Sequence, residues 1–448
     1  MSSISTANKI DSYPTSNALP HGQDTLDSVL NSPLDEPGDA FCELVNRRLL
    51  WWDSAHIRTW MLDQGYSFYQ RSHTSSGDPS AMVFVPDAEQ QDTSFPYAYH
   101  GGEAENIWPP FSAYTGERAI VGYAQDSQGS HVAMKAILSG SGEYRILKYL
   151  QNQGVPASLD EFQNVLPVLD ILSCEGHWLA IMPRWGSDPL QPDFRSMKEV
   201  FHFIHCLLRD IKTENILVNH IDRHFYDGRN AHRASLRIQG KLTYALFDFG
   251  HSTMFPQSVR IDECRLPSYI SYRTYPLQRR DDTHQGEIDF DPFAFDVGML
   301  GVLFCEEFQH LTTLTPMLAP LFDMMTTRNI SWRFTASEAL AFFEEQVQPL
   351  TPGLEKVGYK SPDSPSYPPR YDTFDRWQDL DPDFIERWAE FRDPPVPFRV
   401  IFLWELCGRA WGWRLVNRIR YLARFITRWT SFRKGKSATS IQGRFGKV

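Results

Sequence analysis

The chain has 448 residues, with 42% hydrophobic content and a formal net charge of −11. That is room for one large domain or two modest ones, each with a packed core. The six cysteines are scattered with no C-x-x-C pair, and no run of eighteen apolar residues occurs, which argues against a cysteine metal or redox motif and against a spanning helix. The N-terminus, `MSSISTANKIDSYPTS`, lacks the apolar core of a signal peptide, so the expected setting is intracellular, cytoplasmic or nuclear.

In chain order, residues 1–37 are rich in Ser, Asn, Asp and Pro and are expected to be disordered, having too little apolar surface to offset the entropy of ordering. Residues 38–110 read as an accessory helical and loop segment. Leu44, Leu49, Trp52, Ile57, Trp60 and Met61 follow a helical rhythm, with Gly65 as a plausible stop. From 111 to 347 strands alternate with helices. `RAIVGYAQD` and `HVAMKAI` are β-rich, `SGEYRILKYLQNQ` and `RSMKEVFHFIHCLL` have helical spacing, and `DPFAFDVGMLGVLFCEEF` is nearly all apolar, the hub helix of a lobe. Residues 348–397 read as a Pro-rich acidic linker and 398–448 as a basic amphipathic tail.

Three motifs carry chemistry. `VAMK` places Lys135 on a strand, and Glu143 stands on the helix that follows; alone, such a pair is more often a plain ion pair. `RDIKTEN`, Arg209 to Asn215, is more specific. It sets a carboxylate, Asp210, two residues before a lysine, Lys212, and five before an amide, Asn215. Phosphoryl transfer to a hydroxyl uses such a set as base, phosphoryl-steadying cation and metal ligand. `FDFG` adds Asp248, Phe249 and Gly250.

With Asp296 in `FAFDVGMLG` and Arg333 in `SWRFTASEAL`, these elements stand in the order of the protein-kinase family, and residues 114–347 resemble it. `MPRWG`, `RLP` and `PFAFDVGMLG` resemble, more narrowly, a kinase-like group abundant in mushroom-forming fungi. The resemblance implies an α+β, two-lobed protein-kinase-like fold with ATP in the cleft, flanked by the disordered N-terminus and the basic helical C-terminal tail. It implies Ser/Thr acceptors on a protein substrate and Mg²⁺ held by Asn215 and Asp248. Lys135 and Glu143 would orient ATP, with Gly116 and Val121 in the loop above it, and the backbone of Pro183 and Trp185 would meet the adenine edge. Arg209, Phe249, Gly250, Asp296 and Arg333 would be structural, with Glu287 the nearest candidate partner for Arg333.

The sequence departs from the family in several places. The three glycines of the phosphate loop fall on Tyr114, Gly116 and Ala119, so one survives, and a Gly-poor loop brings its backbone less close to phosphates. Phe194, Met197, Phe201, Ile204 and Leu208 continue a helical stripe to Arg209, where the family has a longer helix and a turn. Either a segment has been lost from an active kinase, or the chain is a catalytically impaired pseudokinase scaffold acting through partner or nucleotide binding. Between Asn215 and Asp248 lies an enlarged insertion whose His220, Asp222, His224 and His232 are of metal-ligating type, though a solvated polar insertion accounts for them. Ser252, Thr253, Ser258, Ser268, Ser271 and Thr274 are candidate acceptors for an activating phosphate read by Arg209.

From 399 to 448 there are 12 Lys and Arg against Glu405 alone, a net +11, which leaves 32 bases and 54 acids, −22, for the rest. Over 414–429, Leu415, Ile419, Leu422, Ile426 and Trp429 form one stripe, with arginines opposite. Such a basic amphipathic helix suits an anionic membrane surface; docking of the stripe on the acidic body or on a partner protein is the competing expectation. Nucleic acid is the weakest expectation, since no reading module accompanies the charge.

Overall fold

A computed structural model describes residues 39–73, 79–85, 94–100, 111–115, 118–159, 161–209, 215–221, 230–271, 280–283, 285–354, 357–359, 371–409 and 411–426. The segment expected to be disordered, residues 1–37, lies outside them. The fold is mixed helix and sheet, with a curled sheet, and the chain divides into two compact units. The first comprises residues 1–161, 166–186 and 220–226; the second comprises 162–165, 187–219 and 227–448. Among the described residues no helix is long and apolar enough to cross a membrane.

The first unit is built on a five-stranded antiparallel sheet. Its strands, numbered in chain order, are β1 (Ser67–Phe68), β6 (Val121–Gln125), β7 (His131–Ile137), β8 (Asp170–Cys174) and β9 (His177–Pro183), arranged β1-β6-β7-β9-β8. A second sheet pairs β2 (Gln70–His73), β3 (Pro79–Val85) and β5 (Phe111–Tyr114) in the order β2-β3-β5, and β4 (Tyr99–His100) pairs in parallel with His220–Ile221. Alternation dictates the layering, because successive side chains of a strand point to opposite faces. Val132, Met134 and Ala136 of β7 face a core shared with Ala124, Leu179 and Ile181. That core is closed by Trp51, Trp52, Ile57 and Met61.

Those four come from the segment expected to be accessory, which forms two helices, Asp39–Asp53 and Ala55–Asp63. The break is at Ser54, which is extended (ψ 140°) and whose amide and hydroxyl both donate to the Trp51 carbonyl. Gly65 does end the second helix, at φ +89°, a conformation open to glycine at no steric cost.

In the second unit the helix Met197–Arg209 runs to Arg209 without a turn, and nine of its thirteen residues are buried. Phe203 meets Tyr244, Phe308 and Phe194 at 4.8–5.9 Å between ring centroids, spacings typical of packed aromatic pairs. The hub helix Pro292–Phe308 begins with Asp291 capping the amides of Phe293 and Ala294, which satisfies donors the helix itself cannot. It crosses the helix Leu318–Thr326 at Gly301, where a Cβ would stand 2.8 Å from Met325 Cβ and Thr326 Cγ2. Within the stretch read as linker, Trp377 and Leu380 are buried. Arg376 donates to the buried Asp323 carboxylate at 2.7 Å, as do Trp377 Nε1 at 2.8 Å and the Asp393 amide at 2.9 Å. The tail contributes helices Phe398–Cys407 and 411–426.

Candidate functional site

Lys135 lies on β7, the third strand of the five-stranded sheet in chain order and its centre in space, opposite Val121 of β6. Alternation puts it on the face away from Met134 and Ala136. The next helix, Gly142–Gln153, starts at Ser141, whose side chain accepts from the Tyr144 amide at 3.1 Å, and this cap fixes Glu143 in the first turn. Lys135 Nζ and Glu143 Oε1 are 2.5 Å apart, with side chains 9% and 13% exposed. Removing two charges from water is costly, so a buried pair is weak evidence for stability.

Beside this pair, β9 ends at Pro183, paired with Val132, and the Arg184 amide extends the ladder to the His131 carbonyl at 2.9 Å. Trp185 is buried and its Nε1 donates to the Pro96 carbonyl at 2.8 Å. A polar cluster that sequence reasoning missed sits at the same end. Tyr69 OH lies 2.5 Å from His131 Nδ1 and accepts from Arg184 Nη1 at 2.8 Å. The Arg184 guanidinium lies 5.3 and 5.2 Å from the Tyr69 and Tyr123 ring centres. Burial, then Arg184 and His100, drives the His131 pKa down to about 3. Residues 69, 123, 131 and 184 obey no common spacing, so only the pairing of β1, β6, β7 and β9 assembles them.

Tyr114 and Val121 belong to different sheets, and β6 is paired with β1 instead of β5. The connection holding Gly116, which itself lies outside the described residues, is therefore a crossover between sheets and not a hairpin turn. It is pinned by the N-terminal helices. Trp52 Nε1 donates to the Ala119 carbonyl at 3.0 Å and Arg48 to the Arg118 carbonyl at 2.9 Å. Ala119 itself is buried at φ +49°.

The second unit holds the other candidates. Asp210 and Lys212 lie outside the described residues. Ile216–Val218 pairs with Tyr244–Leu246 as an antiparallel ladder, and the Phe247 amide donates to the Asn215 carbonyl at 3.0 Å. The ladder thus brings Asn215 beside Asp248 although 33 residues separate them, and Asn215 Nδ2 donates to the Asp248 carbonyl at 3.2 Å. Asp248 stands at φ +59°, and its Oδ1 accepts from the Gly250 amide at 3.1 Å. An amide oxygen and a carboxylate are hard donors of the kind Mg²⁺ takes, so the residue types fit that ion, while the contact itself runs to the Asp248 backbone carbonyl.

Arg209 is exposed at its helix end, Phe249 is half-buried and Gly250 exposed. Asp296 is half-buried on the hub helix. Arg333 is fully buried, but its partner is Asp282, not Glu287. The two are joined by two hydrogen bonds of 2.6 and 2.8 Å, and Arg333 also donates to the Thr327 and Ala294 carbonyls. In sequence Asp282 sits in `QRRDDTHQ`, which reads as a solvated charge run; the fold buries it in the short helix Arg280–Thr283. Glu287 faces Arg420 of the tail at 3.4 Å, and burial pushes its pKa up to about 7 against the pull of Arg420.

Of the hydroxyls considered as phosphate acceptors, Ser268 and Ser271 are buried, Thr253 and Ser258 are exposed, and Thr274 lies outside the described residues. Asp222 and His224 also lie outside them. Among the described residues no group of His, Cys, Asp or Glu is arranged to hold a metal.

No protein-family model matches the chain, and no curated protein matches it.

Proposed function

We propose that the chain is a Ser/Thr-type protein kinase, transferring the γ-phosphoryl group of ATP to protein hydroxyls. The observation that carries this reading is the buried Lys135–Glu143 pair on the third strand and following helix, where kinases orient the α- and β-phosphates. The Asn215–Asp248 juxtaposition supports it. In this reading Glu143 holds the Lys135 ammonium toward the phosphates, Asp210 accepts the proton of the attacking hydroxyl, and Lys212 steadies the transferring phosphoryl group. Asn215 and Asp248 would hold Mg²⁺, which supplies charge neutralisation on the phosphates.

A second reading, a scaffold without transfer that acts through partner or nucleotide binding, is favoured by one feature. The Ala119 and Arg118 carbonyls are tied to Trp52 and Arg48, in the connection where the family's phosphate loop would be sought.

Thermal melts of the full chain with and without Mg-ATP test both. Saturation at about 100 times Kd adds about 2.7 kcal/mol, a shift of a few degrees for a chain of this size. Lys135→Ala should abolish the shift. Asp210→Asn should keep the shift and abolish phosphate transfer to a generic acceptor. A shift with no transfer in the unsubstituted chain establishes a nucleotide-binding scaffold; a cooperative melt with no shift removes the kinase and leaves a scaffold acting through partners.

A further inference from the structure

The tail helix 411–426 docks through the face opposite to the one its hydrophobic pattern suggests. Val416 is buried against Gly286, where a Cβ would come within 2.8 Å of Val416 Cγ1. Asn417 Nδ2 donates to the Gly286 and Glu287 carbonyls at 3.3 and 3.1 Å. Arg420 faces Glu287 at 3.4 Å, and Arg424 forms an ion pair with Asp289. The arginines thus hold the helix to Glu287 and Asp289 within the second unit, and the apolar stripe is turned outward. Leu415, Ile419, Leu422, Phe425 and Ile426 are 47–63% exposed. Arg414 and Arg418, also exposed, lie along the edge of that stripe by helical spacing.

We propose that this face binds an anionic phospholipid membrane surface. A contiguous apolar stripe is not ordinarily left facing water. A helix lying in the lipid interface buries such a stripe while flanking arginines meet the headgroups. Charge selects the occupant. Residues 427–448 continue the sequence with Arg428, Arg433, Lys434, Lys436, Arg444 and Lys447 and no acid, which suits a phosphate-bearing plane. A second copy on the same face would bring a second set of arginines to this basic tail, a like-charge cost that an anionic surface does not carry. Pairing of Arg420 and Arg424 with the second unit holds the stripe outward without help from the lipid.

The test is co-sedimentation of the full chain with phosphatidylcholine vesicles, with and without admixed phosphatidylserine. Binding is expected only to the anionic vesicles and should weaken as salt is raised. Ile419→Asp with Leu422→Asp should reduce it about tenfold or more, with the thermal melt unchanged because both side chains are exposed. Arg414→Glu with Arg418→Glu is the second variant, expected to weaken binding without touching the stripe. Absence of binding to anionic vesicles, or binding indifferent to both variants, overturns the proposal. So does a self-association seen by light scattering that the Asp pair abolishes while vesicle binding is absent, since that assigns the face to a second copy.

Discussion

His131 is a histidine held neutral by its surroundings: burial first, then the charges of Arg184 and His100, disfavour the imidazolium. Its pKa is near 3 folded and about 6.5 unfolded. The unfolded chain therefore binds the extra proton first, and the stability this site contributes is full above about pH 6.5 and is lost as pH falls toward 3. At pH 5 the loss is about 2 kcal/mol. Urea unfolding at pH 7.5 and pH 5 should show it, and His131→Gln should flatten the difference between the two. Arg333 is the opposite case, a charge kept buried by a charge. Asp282→Ala strands the guanidinium and should cost about 3–5 kcal/mol, read from the denaturation midpoint. Lys135 and Glu143 were legible in sequence because eight residues of strand and helix fix both. Asp282 was not, since its burial depends on 51 residues of intervening chain, and Asp281–Asp282 beside two arginines looks like any wet surface run.

Elements followed the sequence where periodicity alone decides them. The stripe up to Arg209 became a helix with nine buried residues, and the apolar hub became Pro292–Phe308 with ten. Its near-uniform hydrophobicity hid which face meets which neighbour, and Gly301 answers that. Gly301→Ala should overpack the crossing with Leu318–Thr326 and cost about 1–3 kcal/mol, lowering the thermal midpoint. Residues 39–63 read as one rhythm but fold as two helices, because Ser54 ties its donors back to Trp51. The rhythm of 414–429 misled in another way. It located the stripe correctly, but the partner of the other face, Gly286 to Asp289, is about 130 residues away.

At the scale of the whole molecule, sequence spacing separated body from tail but not the two units, since each is discontinuous along the chain. Residues 348–397 lacked the density of apolar positions that marks a core, yet Trp377 is 3% exposed. A single tryptophan in polar surroundings carries much area and little pattern. The interleaving also bears on how the chain is made. The strand β4 near Tyr99 finds its parallel partner only at His220, about 120 residues later, which is roughly 6–24 s at the usual pace of translation, about 5–20 residues per second. Until then Tyr99 and His100 have no strand to pair with, so the first unit completes this pairing only after residues 187–219 of the second unit have been synthesised.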